Sequence, residues 1–150
     1  MKPILKCGLL GLGALALAGP AVAQPEERNS GRKLVATLTG AAEVPGPGDT
    51  NGAGLFEARV NPGLGEICYT LSAGNIDVAT AAHIHLGGPT ESGNVVLTLE
   101  DPDGEDDDVD DCQDIDKGLA QELIRDPAGY YVNVHTGDFP DGAIRGQLTK

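Results

Sequence analysis

Residues 130–148 read YYVNVHTGDFPDGAIRGQL, and this stretch decides the fold class. In its first part, YYVNVHT (130–136), Val132 and Val134 alternate with more polar residues, which is the pattern of a half-buried β-strand. A second strand is predicted over AIRGQLT (143–149), and the connecting GDFPDG ends in the turn signal Asp-Gly. Because the connection is short, the two strands are expected to be antiparallel neighbours.

Five further strand-like segments precede this pair, each bounded by Gly, Pro or Asn. They are KLVATLTG (33–40), LFEARV (55–60), ICYTLSA (67–73), TAAHIHL (80–86) and NVVLTLE (94–100). One segment differs: apolar residues recur at helical spacing from Lys117 to Arg125, between a capping Asp116 and Pro127. About seven short strands predict an all-β, antiparallel Greek-key β-sandwich, with one short helix in a crossover connection.

The beginning of the chain is predicted to be a targeting signal rather than part of the fold. Residues 1–23 have a basic start, then a Leu-, Ala- and Gly-rich run, then Ala-Val-Ala, which is typical of a secretory signal peptide cleaved after Ala23. The polar segment 24–32 is expected to be a flexible lead-in to one domain at 33–150. We therefore expect a secreted or periplasmic protein.

The acidic composition excludes some partners. The formal net charge is −13, and removal of Lys2 and Lys6 with the signal peptide changes it to −15. Nucleic-acid binding and attraction to anionic membranes both require a basic surface, so neither is expected. This charge favours solubility and attracts cations, but it does not identify a fold.

Two cysteines, Cys68 and Cys112, remain after signal removal. In an oxidising compartment an even pair predicts a disulfide, which would close a loop of about 45 residues and add roughly 3 to 4 kcal/mol of stability. The alternative is that the thiolates bind a metal.

Segment 100–116, EDPDGEDDDVDDCQDID, contains eleven acidic residues. A calcium loop starting at Asp106 would need Gly where Asp111 stands and Glu where Lys117 stands, so the EF-hand pattern fails twice. We expect a solvated acidic loop of unassigned role.

The three histidines lie in two of the predicted strands. Side chains alternate along a strand, so His83 and His85 share one face while Ala82, Ile84 and Leu86 share the other. In the later strand, Asn133 and His135 share the face opposite the core valines. Every histidine is therefore expected on an outward strand face.

These faces combine into one site if the two histidine strands are neighbours. The pairing of the last two strands leaves three registers open, with His135 opposite Arg145, Ala143 or Gln147. Asn133 and Arg145 are then candidates to support the metal-binding histidines. Three neutral imidazoles on one rigid face suit copper or zinc, with copper preferred because it is highest in the affinity series. The alternative is three ordinary half-exposed histidines on polar strand faces.

The sequence also resembles a known family. LTGAAEVP (38–45), GAGLFEARVNPGLGEICYTLSAGNI (52–76), AAHIHLGGPTESGNVVLTL (81–99) and DPAGYYVNVHTGDFPDGAIRGQL (126–148) are similar to the CHRD domain, a module first noted as a repeat in chordin and also found singly in secreted bacterial proteins. The resemblance implies a secreted, β-rich domain. It implies no catalytic residues, and the growth factors that chordin binds are not carried over to a single domain.

Cu/Zn superoxide dismutases offer a weaker likeness, since they too are Greek-key sandwiches with a His-x-His pair. Three histidines are too few for a complete binuclear site, so only a mononuclear copper site is conceivable by this likeness.

Three functions follow from these patterns. The first is a single-domain binding protein with a surface site for a transition metal at His83, His85 and His135. The second is a protein- or matrix-interaction module in which the histidines are incidental. The third is a mononuclear copper redox enzyme in which Arg145 steers an anion. No nucleophile elbow or phosphate loop is present, and the sequence favours a binding protein over an enzyme.

Overall fold

The computed structural model describes residues 30–102 and 108–150 and contains eight β-strands, one α-helix and two short 3-10 helices within them. The segment predicted to be a signal peptide (1–23) and residues 24–29 lie outside the described residues. The strands are β1 (Arg32–Thr39), β2 (Ala53–Asn61), β3 (Glu66–Gly74), β4 (Ala79–Leu86), β5 (Val95–Leu99), β6 (Asp108–Asp114), β7 (Tyr130–Thr136) and β8 (Ile144–Gln147). In the described ranges no helix is long and apolar enough to span a membrane.

All eight strands belong to one antiparallel sheet in the order β5-β4-β7-β8-β1-β2-β3-β6. The all-β, antiparallel prediction is confirmed, although the strands form one curled sheet rather than two separate layers. The curl brings the two edge strands together. Gln113 of β6 donates through Nε2 to the Thr98 carbonyl of β5 at 3.0 Å, and the Glu100 amide donates to the Tyr69 hydroxyl at 2.8 Å.

The concave face holds the core. Side chains alternate inward along β1, β2 and β3, as the sequence pattern requires, and the buried set consists mainly of Leu, Ile, Val and Ala. Phe56 and Tyr69 are the aromatic contact at its centre, with ring centroids 5.6 Å apart. β4 contributes Ala82 and Ile84, and β7 contributes Val132 and Val134, which confirms these predicted inward positions. Leu86, predicted on the same inward face, is 52% exposed, because β4 ends at this residue.

The helix, α1 (Lys117–Arg125), has the predicted bounds. Asp116 caps it by accepting hydrogen bonds through Oδ1 from the amides of Gly118 and Leu119, at 2.8 and 3.1 Å. Its apolar face buries Ala120 and Leu123 in the core.

The acidic segment contains the eighth strand, which the sequence did not predict. β6 pairs with β3 along seven residues, and Cys68 lies directly opposite Cys112 in this register. The two cysteines form a disulfide with Cα atoms 4.0 Å apart. The expectation of a solvated loop was wrong for residues 108–114, because the disulfide and the contact of Val109 with the core hold an otherwise polar segment in a ladder. Residues 103–107 of that segment lie outside the described residues.

The order of β4, β7 and β8 settles the histidine geometry. β4 and β7 are adjacent, with His83 opposite Asn133 and His85 opposite Tyr131. β8 lies on the other side of β7 and pairs Arg145 with Asn133, so His135 is level with Ala143 and not with Arg145. All these polar side chains share the convex face of the sheet.

Candidate metal centre

The three histidines form one cluster. Nδ1 of His83 lies 3.2 Å from Nε2 of His135, and one ring nitrogen from each of His83, His85 and His135 lies within 4.8 Å of the other two. Nitrogens bound to one tetrahedral ion at about 2.0–2.1 Å are roughly 3.3 Å apart. The closest pair already has this separation, so the three side chains are close enough to hold a metal ion.

Backbone carbonyls fix the protonation of two of these rings. His85 donates from Nδ1 to the Gly93 carbonyl at 2.8 Å, and His135 donates from Nδ1 to the Pro140 carbonyl at 3.0 Å. Because each Nδ1 carries the proton, each Nε2 presents a lone pair. Metal-binding histidines characteristically donate their second ring nitrogen in this way, which orients the ring and raises its basicity.

The surroundings of the cluster favour neutral imidazoles. Burial lowers the pKa of His83, and the neighbouring His135 and His85 lower it further. Burial also lowers the pKa of His135, opposed by its bond to the Pro140 carbonyl. Neutral rings are the form that a metal ion requires.

His85, Tyr131 and Arg145 form a stack that supports the His85 ring. Its ring lies parallel to that of Tyr131, with centroids 4.8 Å apart, and the guanidinium carbon of Arg145 lies 3.4 Å from the centre of the same tyrosine ring. This cation–π contact and the stacking restrict His85 to one orientation.

The loop after β4 covers this stack. Arg145 donates through Nη2 to the carbonyls of Gly88 and Glu91, at 2.8 and 2.9 Å, and the Gly93 amide donates to the Tyr131 hydroxyl at 3.2 Å. Arg145, predicted to face outward, is on the predicted face but only 1% exposed, because residues 87–93 fold over it.

The backbone around Gly93 leaves no space for a side chain at this position. A Cβ at this position would lie 1.5 Å from the Leu86 carbonyl oxygen. This close approach of two backbone segments brings the Gly93 carbonyl to His85, so any larger residue would displace the carbonyl that orients the ring.

Glu43 is a further polar residue enclosed beside Arg145, and sequence reasoning did not select it. It is 5% exposed, Oε1 has no hydrogen-bond partner, and the carboxylate packs so closely on Gly142 that a Cβ there would lie 2.4 Å from Oε1. Burial raises the pKa of Glu43 to about 7, against the opposing field of Arg145.

The structure brings together the histidines that the sequence selected, and it places Asn133 among them. Arg145 is two strands away from His83 and uses Nη2 on the covering loop. Sequence reasoning missed Gly93 and Pro140, because they act through backbone carbonyls, which no residue type reveals.

The features define a class: an antiparallel β-domain that carries a three-histidine cluster on the convex face of its sheet. Comparison with known families then assigns the chain. The model of the CHRD domain matches residues 34–148, so this chain belongs to the CHRD domain family. No curated protein and no solved structure matches significantly.

Proposed function

We propose that this protein is a secreted single-domain binding protein whose His83, His85 and His135 bind one transition-metal ion, copper before zinc. The observation that carries the proposal is the pair of Nδ1–H bonds to backbone carbonyls, which leaves the Nε2 lone pairs of His85 and His135 available beside His83. Copper is preferred because imidazole sites follow the affinity series in which Cu(II) is highest. The disulfide supports an oxidising compartment.

Without a metal ion, a shared proton joins two of the three histidine rings. His83 donates from Nδ1 to Nε2 of His135 across 3.2 Å. For both nitrogens to hold a metal ion, this proton would have to move to Nε2 of His83, the other tautomer of that ring. Because burial lowers the pKa of His83 and of His135, binding requires neither of these rings to be deprotonated near neutral pH.

Calorimetric titration with Cu(II) and Zn(II) tests the proposal. We expect one ion per chain for the wild type and a loss of at least about 100-fold in affinity for His135→Ala, because the ion keeps only two ligands. Asp108→Asn with Asp110→Asn in β6 is the matched control for adventitious carboxylate binding, and its copper affinity should equal that of the wild type. Equal, weak binding by the wild type and His135→Ala would contradict the proposal.

A second candidate function is a protein-interaction module, as membership of the CHRD domain family suggests. The observation in its favour is that two large apolar side chains, Leu86 and Val95, are exposed where β4 and β5 pair at the edge of the sheet. A partner that is retained by the triple His→Ala variant and lost with Leu86→Ser and Val95→Ser would support this function over metal binding.

The redox-enzyme alternative has less support. Arg145, the residue expected to steer an anion, is buried beneath the covering loop and donates to its carbonyls. A side chain held in this way is not presented to a diffusing substrate.

A further inference from the structure

Asn133 occupies the centre of the histidine cluster. It lies opposite His83 across the β4–β7 pair and two residues before His135 on the same strand. Because His85 lies opposite Tyr131, Asn133 is also the diagonal neighbour of His85. In the register of β4 and β7, Asn133 is therefore a neighbour of all three histidines on the convex face.

The amide oxygen of Asn133 lacks a partner. The residue is 3% exposed, and its Oδ1 makes no hydrogen bond. A buried carbonyl without a donor costs about 1–3 kcal/mol, so such an atom calls for an explanation. Among the described residues, four buried side-chain atoms are unsatisfied in this way: Glu43 Oε1, His85 Nε2, Asn133 Oδ1 and Arg145 Nη1.

One metal ion with one water molecule satisfies two of these four atoms. The ion takes the lone pair of His85 Nε2. Three histidines leave a fourth tetrahedral position open, and a water bound there has protons to donate. The central position of Asn133 makes its Oδ1 the acceptor for such a proton.

We propose that Asn133 is a positioning residue that accepts a hydrogen bond from the ligand at the fourth coordination position and restricts that position to ligands that carry a proton. This inference rests on the proposed metal site. The chemical class comprises water, hydroxide, hydroperoxide and alcohols. Halides and azide have no proton to donate and meet the lone pairs of Oδ1 instead.

Azide titration of the copper-loaded protein tests the inference through the azide-to-copper charge-transfer band. Asn133→Leu keeps the size of the side chain but removes the acceptor, and we expect it to bind azide at least about tenfold more tightly than the wild type, a difference of about 1.4 kcal/mol. Asn133→Asp keeps an acceptor and adds charge, so it should bind azide more weakly than the wild type. Because the charge of Asp repels azide whatever the role of Asn133, the affinity of Asn133→Leu relative to the wild type decides the test.

The outcomes distinguish this inference from the proposed function. Equal azide affinity in the wild type and Asn133→Leu would overturn the role of Asn133 while stoichiometric copper binding still stood. A wild type that binds no copper would overturn both. If Asn133→Leu fails to fold, pulsed electron–nuclear double resonance of the copper-loaded wild type in D₂O decides the question: a strongly coupled deuteron on a bound oxygen ligand, distinct from the weakly coupled N–D deuterons of the histidine rings, supports the inference, and its absence contradicts it.

Discussion

The two halves of the sheet differ in what covers their convex face. Along β1, β2 and β3, side chains alternate between the buried core and a solvent-facing surface. Along β7 and β8 nearly every residue is buried, because the loop 87–93 and the segment around Glu43 lie over the convex face. The first half is an ordinary one-sided antiparallel sheet, whereas the second encloses polar groups.

The two halves of the sheet differ in what they contribute to stability and to the proposed function. The regular half gains stability from apolar burial and from the disulfide. The enclosed half contains all four unsatisfied buried side-chain atoms among the described residues, each of which costs stability. Under the proposed function, these atoms serve binding rather than stability.

Removing the Arg145 side chain has the largest expected effect on stability and tests the comparison of the two halves. Arg145→Ala leaves the carbonyls of Gly88 and Glu91 without donors and opens a cavity over Tyr131, so we expect a loss of about 3–5 kcal/mol in the free energy of unfolding. Urea denaturation measures it. The exposed cation Lys33, paired with Glu57, is the control, and Lys33→Ala should cost less than about 1 kcal/mol. Equal costs at both positions would contradict the structural role of the covering loop.

Removing the disulfide tests the regular half. Cys68→Ala with Cys112→Ala should lower the free energy of unfolding by about 2–4 kcal/mol. Because the bridge joins β3 to β6, neither of which pairs with β4 or β7, copper affinity below the unfolding transition should stay within about threefold of the wild type. A large loss of copper affinity with intact folding would show that the halves are coupled.

Substitution of Glu43 is expected to change the free energy of unfolding by a smaller amount, and this change depends on pH. Because its pKa rises from 4.5 to about 7 on folding, the folded state holds the proton more tightly. Its contribution to stability is present below pH 4.5 and is lost as the pH rises through 7. Glu43→Gln abolishes this dependence, so at pH 8 it should be more stable than the wild type by about 1–3 kcal/mol, with a smaller difference at pH 5.

Urea denaturation at both pH values measures this difference. Asp108→Asn, a change of an exposed carboxylate in the regular half, should show no pH-dependent gain of that size. An unchanged difference between Glu43→Gln and the wild type from pH 5 to pH 8 would contradict the assignment.

The sequence predicted local structure correctly where the periodicity of apolar side chains determines it. Alternation predicted the inward faces of β4 and β7, and capping residues predicted α1 to the residue. It missed β6, because aspartates are depleted in strands and only pairing with β3 through the disulfide holds them there.

Within the candidate site, sequence reasoning selected the histidines and Asn133 from the faces they share. It could not predict the burial of Arg145 or the contacts of Gly93 and Pro140, because these depend on how loops fold back over the sheet.

The order of the cross-linking residues along the chain has a thermodynamic consequence. The disulfide joins positions 44 residues apart, and the cluster joins His83 to His135, 52 residues apart, so the two loops interleave. A bound ion would act as a second, reversible cross-link, and it would span a part of the chain that the disulfide does not enclose. At 1,000 times its dissociation constant, a ligand specific to the folded state adds about 4.1 kcal/mol. Metal supply would then set the thermal tolerance of this domain as strongly as oxidation does.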